Sequence, residues 1–82
     1  MKTRIVWPEP VRDLVLLVPE GTREDIFKQV ELLLHFPQMY TVRSKGRRFR
    51  RHRWFNAGDW LVYYRFVDDT VYIRGIWPAR IP

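Results

Sequence analysis

The sequence predicts an α+β fold in two layers: a short N-terminal strand, then two helices packed on one face of a mainly antiparallel four-stranded sheet. Three observations predict it. Apolar residues recur at helical spacing in two stretches of the first half, each bounded by prolines. From Arg47 onward the residues turn β-branched and aromatic, and only short turn signals separate three runs. Short connections force those runs into an antiparallel meander, so the helices must cover one of its faces. The 82 residues are read as a single domain, 1–82. A domain of this size buries only about 60% of the surface its unfolded chain exposes, so the core is thin.

Thr3 to Trp7 is a strand of β-branched and aromatic residues stopped by Pro8. Pro10 then opens a helix in its first turn, carried by Val11, Leu14, Val15 and Val18 and stopped by Pro19. Thr22 begins the clearest helix, with Thr22 and Asp25 as a capping box and Glu24 and Asp25 at the positive end of the dipole. Ile26, Phe27, Val30, Leu33 and Leu34 form its apolar face, and Pro37 ends it. Residues 37–46 are a polar connection. The three strands are Arg47–Phe55, Trp60–Val67 and Thr70–Trp77, joined by Asn56-Ala57-Gly58 and by Asp68-Asp69.

The formal net charge is +6, and twelve of the fifteen cationic residues are arginine. A guanidinium binds phosphate or carboxylate through a planar fork and stacks on rings, so the bias favours planar anionic partners. The charge is also segregated. No Asp or Glu lies between Leu32 and Gly58, where Arg43, Lys45, Arg47, Arg48, Arg50, Arg51 and Arg53 cluster. There is no cysteine, which excludes disulfides, thiolate metal sites and a cysteine nucleophile, and agrees with a reducing compartment. The longest apolar run, Leu14 to Val18, is too short for a signal peptide or a membrane span, so a soluble cytoplasmic protein is expected.

Strand alternation divides the side chains between two faces. Trp54, Leu61, Tyr63, Val71 and Ile73 are assigned inward, with His52 sharing that parity and Arg65 held at the rim with a buried stem. Arg51, Arg53, Phe55, Trp60, Tyr64, Tyr72 and Arg74 are then directed outward, and Ile76 with them. Guanidinium groups among exposed rings make a surface for phosphates and unstacked bases. The nucleic-acid-binding set is therefore Arg47, Arg48, Arg50, Arg74, Trp60, Tyr64 and Tyr72.

The segment from Gly58 through Leu61, Tyr63 and Tyr64 to Asp68-Asp69, Val71, Ile73 and Ile76 resembles the RelE/ParE toxin superfamily. So do the helix ending at Phe36-Pro37 and the basic strand that follows, so that the resemblance spans nearly the whole chain. It implies a toxin neutralised by a cognate antitoxin. RelE-like members cut messenger RNA in the ribosomal A site, whereas ParE-like members inhibit DNA gyrase and leave RNA intact. Carried over to this sequence, the RelE-type site falls on Arg51 and Arg53 in the basic strand and on Arg80 after the last strand. Two positions differ from that pattern. Trp60 stands where RelE-like members have an arginine, and the tail to Pro82 has no tyrosine.

RNA cleavage needs a base for the 2′-hydroxyl, stabilisation of the charged phosphorane and an acid for the leaving oxygen. Arg51, Arg53 and Arg80 suit the second task. Guanidinium pKa values above about 12 disqualify them from the first. The proton carriers available are His52, His35, Tyr64 and Tyr72, of which His52 titrates in the useful range. Two histidines without cysteine give no zinc site, Asp68-Asp69 reads as a turn, and no nucleotide-binding or nucleophile-elbow motif occurs. No metal or cofactor is expected. The readings are a ribosome-dependent mRNA interferase, a ParE-like gyrase inhibitor or catalytically silent relative, and a general nucleic-acid-binding module.

Overall fold

The computed structural model describes residues 2–44 and 50–79. Its elements run β1 (Arg4–Val6), α1 (Glu9–Val15), α2 (Glu20–Leu32), β2 (Arg53–Ala57), β3 (Trp60–Val67) and β4 (Thr70–Pro78). The sheet order is β1-β4-β3-β2, with β1 parallel to β4 and the other neighbours antiparallel. The fold is the expected α+β arrangement. None of the described helices is long and apolar enough to cross a membrane.

Both helices start on a proline. Pro8 and Pro19 stand at the N-caps with extended backbone, and neither cap uses a side chain. The Thr22–Asp25 capping box therefore does not form. α2 begins two residues earlier because the Pro19 carbonyl accepts the Arg23 N–H at 2.8 Å. A proline lacks the N–H that a helix start would leave unpaired, so this entry is cheap. Arg23 also closes the α1–α2 connection, donating to the carbonyls of Leu16 at 3.2 Å and Val18 at 3.1 Å.

The core lies between helices and sheet. Val11, Val15, Val18, Ile26, Val30 and Leu33 pack on Phe55, Ala57, Val62, Tyr64, Val71, Ile73 and Ile76. A fully buried side chain of this size contributes roughly 1.5–3 kcal/mol. Phe27 and Leu34, assigned to the buried helix face, are exposed at the flanks of that stripe.

The face assignment of β2 and β3 is reversed relative to expectation. Phe55, Val62 and Tyr64 are buried in the core, whereas Arg65 is exposed on the opposite face. Trp54 pairs with Tyr63, and Asn56 with Leu61, on that opposite face. Both parities of Trp60–Val67 are largely apolar, so alternation alone is ambiguous there, and the charge of Arg65 decides the outcome. Ile76, expected outward, is buried. A bulge accounts for it: Tyr64 pairs with Ile73 and Tyr63 with Gly75, leaving Arg74 as the extra residue of β4 and shifting the parity after it.

The turns are tight. Val67 pairs with Thr70 across Asp68 and Asp69, whose φ values of 50° and 58° are the left-handed pair of a type I′ hairpin. The other turn is Gly58-Asp59, because Asn56 and Ala57 are paired inside β2. Gly58 has φ 57°, and a Cβ there would meet Thr22 Oγ1 at 3.3 Å.

β2 starts at Arg53, six residues later than expected. The preceding residues instead return along its free edge. Val42 bridges Arg53, the Arg43 N–H donates to the His52 carbonyl at 2.7 Å, and the Trp54 N–H to the Thr41 carbonyl at 3.1 Å. The connection thus covers an otherwise open sheet edge. The expected strand residues 47–49 lie outside the described residues.

Candidate functional site

The face of the sheet away from the helices carries the rings and cations that the core has no room for. Trp54 and Tyr63 sit side by side on β2 and β3, Leu61 pairs with Trp77, and Arg65 pairs with Tyr72. Arg4 and Val6 extend this face across β1, opposite Thr70 and Tyr72. Arg43 reaches onto it from the connection: its guanidinium lies 5.6 Å from the Tyr63 ring centroid and donates to the Tyr63 hydroxyl at 2.9 Å. This cation–π contact and its hydrogen bond leave Tyr63 only 5% exposed although it faces away from the core. Arg74 is exposed on this face as well.

The charge distribution favours an anionic partner here. Glu9 and Asp13 belong to α1, and Glu20, Glu24, Asp25 and Glu31 to α2. The remaining acids, Asp59, Asp68 and Asp69, lie in the hairpin turns. The helix layer is thus acidic, while the outer face displays Arg4, Arg43, Arg65 and Arg74.

Of the residues expected to touch nucleic acid, Arg74 and Tyr72 are on this face. Tyr64 is fully buried. Its hydroxyl donates to the Pro37 carbonyl at 2.9 Å, and burial pushes its pKa up to about 12, against smaller opposing pulls from the Tyr40 backbone and then from Arg53. It is a core residue. Phe55 is also buried, its ring stacked on Tyr40 at 4.8 Å. Trp60 has core parity and packs half-buried against the same cluster. Arg50 is exposed in the turn before β2, and Arg47 and Arg48 lie outside the described residues.

Of the residues carried over as catalytic, Arg51 and Arg53 lie among the described residues. Arg53 is half-buried on the core side, donating to the carbonyls of Tyr40 at 2.7 Å and Gln38 at 3.3 Å. Arg51 is exposed in a left-handed conformation, φ 67°, and its N–H donates to the Arg43 carbonyl at 2.9 Å. The His52 ring nitrogen Nδ1 faces the Arg50 carbonyl at 3.1 Å. Arg80 lies outside the described residues. His35 follows α2, exposed and tilted against Phe36. Among the described residues, no three His, Asp or Glu side chains come together as a metal site.

Arg43, Arg65, Trp54, Tyr63 and Trp77 are the outer-face residues that alternation misassigned or passed over. The signal for most of them was Arg65: taking that one charge as outward fixes the parity of β3 and, through cross-strand pairing, of Tyr63 and Trp54.

The family model described as ParE toxin of type II toxin-antitoxin system, parDE, matches residues 11–81. That span runs from the first buried valine of α1 to beyond β4. Neither among curated proteins nor among solved structures does any match the chain. With two helices over one face of a four-stranded sheet and a match over nearly its whole length, the chain belongs to the ParE toxin family of type II toxin-antitoxin systems, whose toxins are paired with a cognate antitoxin.

Proposed function

We propose that this toxin acts by binding DNA gyrase, as the resemblance implies for ParE-like members, and does not cut RNA. The single observation that carries the reading is Arg53. Its guanidinium is engaged by the Tyr40 and Gln38 carbonyls on the core side of the sheet. A phosphorane-stabilising cation has to reach the reacting phosphate, with a base and an acid within about 3 Å of their protons. Tyr64, one of the proton carriers available in the sequence, is buried in the core with its hydroxyl donating to the Pro37 carbonyl.

What the outer face offers instead is a protein-binding surface. Tryptophan, tyrosine and arginine are the residues that dominate protein interfaces, and Trp54, Tyr72 and Trp77 lie among arginines there. The same face meets the charge requirement of an acidic partner without any chemistry.

The test is a supercoiling assay with purified gyrase and relaxed plasmid. Wild-type protein should block supercoiling, and Trp54→Ala with Tyr72→Ala should weaken the block by about tenfold or more. Undiminished supercoiling at saturating toxin would reject the gyrase reading.

A further inference from the structure

The outer face holds a shallow pocket of about 220 Å³ lined by Arg65, Val67, Tyr72 and Arg74. Tyr72 and Arg74 are both exposed on the same side of β4, ahead of the point where the bulge shifts the parity and buries Ile76. Arg65 lies directly across from Tyr72, so ring and cations share one patch. The side chains of Arg65, Tyr72 and Arg74 have no hydrogen bond or ion pair with other described residues, unlike those of Arg43 and Arg53, whose donors are engaged within the fold.

Two unpaired guanidinium groups side by side repel one another, and an anion between them removes the repulsion. We infer that this pocket is an anion subsite that takes a carboxylate from an acidic, extended segment of a protein partner, the antitoxin being the partner that the family provides. Charge complementarity supports that occupant: the chain carries +6, and the acids of the described residues lie on the helices and turns. The carbon around the pocket supports a peptide over a nucleic acid. Val67 lines it, and Val6 is exposed next to Tyr72 on β1, so apolar side chains flanking the carboxylate have surface to cover. The inference rests on the antitoxin partnership and is independent of the toxin's target.

The test uses the full-length toxin and two probes: a capped six-residue peptide alternating Glu and Leu, and a hexauridylate, both titrated at one ionic strength. Arginine Nε–H resonances are followed by NMR in the wild type, which requires no variant to fold. The peptide should shift the Arg65 and Arg74 side-chain resonances, and Arg65→Glu with Arg74→Glu should weaken its binding by about tenfold or more. Arg65→Lys with Arg74→Lys should restore part of the affinity, since the charge returns without the fork. Peptide binding that leaves both resonances unmoved, or is unchanged in the Glu variant, overturns the inference. Hexauridylate shifting them more strongly than the peptide overturns it in favour of a nucleic-acid subsite. Because no gyrase enters the experiment, its failure is distinguishable from failure of the gyrase reading.

Discussion

The Tyr64 hydroxyl donates a 2.9 Å hydrogen bond to the carbonyl of Pro37, joining the middle of the sheet to the end of the helical layer across 27 residues of sequence. The ring sits at the centre of an aromatic group with Tyr40 and Phe55, at centroid distances of 6.4 and 6.5 Å. Only the neutral phenol can donate that bond, and burial penalises the phenolate.

Stability should therefore fall in strong alkali. The pKa of Tyr64 is raised to about 12 from its ordinary value of 10.0, so its contribution is complete below pH 10 and is lost as pH rises through 12. Burial, then Asp25, raises Tyr40 as well, which acts in the same direction. Urea unfolding between pH 8 and 12 should show a loss of about 2 kcal/mol from Tyr64. Tyr64→Phe should lower stability by about 1 kcal/mol at pH 7 and flatten the alkaline decline.

Arg53→Ala should destabilise the fold rather than disable a catalyst. It removes two donors from the carbonyls of Gln38 and Tyr40, which hold the connection against β2. The expected loss is about 1–3 kcal/mol, as for hydrogen bonds from a charged group. Denaturant unfolding reads the stability, and proteolysis of the connection in Arg53→Ala should be faster than in wild type.

Gly58→Ala should cost about 1–2 kcal/mol. At φ 57° the new Cβ is strained, and it also meets Thr22 Oγ1 at 3.3 Å. Gly58→Asn should be milder, because asparagine tolerates the left-handed region. Thermal melts of the two variants make the comparison.

The two leucines Leu33 and Leu17 give a core and surface contrast. Leu33 is 0% exposed and Leu17 is 74% exposed. Leu33→Ala should cost about 2–5 kcal/mol, a large fraction of the total for so small a protein, and Leu17→Ala within about 0.5 kcal/mol. Urea midpoints at pH 7 check both.

The elements themselves were legible in the sequence because their punctuation is local. Pro8, Pro19 and Asp68-Asp69 mark boundaries by backbone chemistry alone, and β3 runs over the expected residues. The faces were harder. Tyr63 and Tyr64 are adjacent and chemically identical, and the charge of Arg65 is the one sequence signal that tells their faces apart. Arg74 was assigned correctly, but the bulge that inserts it has no local signature, so Ile76 was misplaced. Arg53 shows the third limit. Its sequence position matches a basic strand residue of the family, yet its guanidinium reaches backbone carbonyls thirteen and fifteen residues away, a contact that no spacing rule encodes.

The claim that this toxin works without cutting RNA is tested most directly by mapping mRNA ends. A defined message translated by purified ribosomes at saturating toxin would be followed by primer extension, beside an Arg51→Ala/Arg53→Ala/Arg80→Ala variant. The same ends are expected with and without toxin. New A-site ends with wild-type toxin would contradict the claim, and their loss in the triple variant would assign them to those arginines only where circular dichroism shows that variant folded.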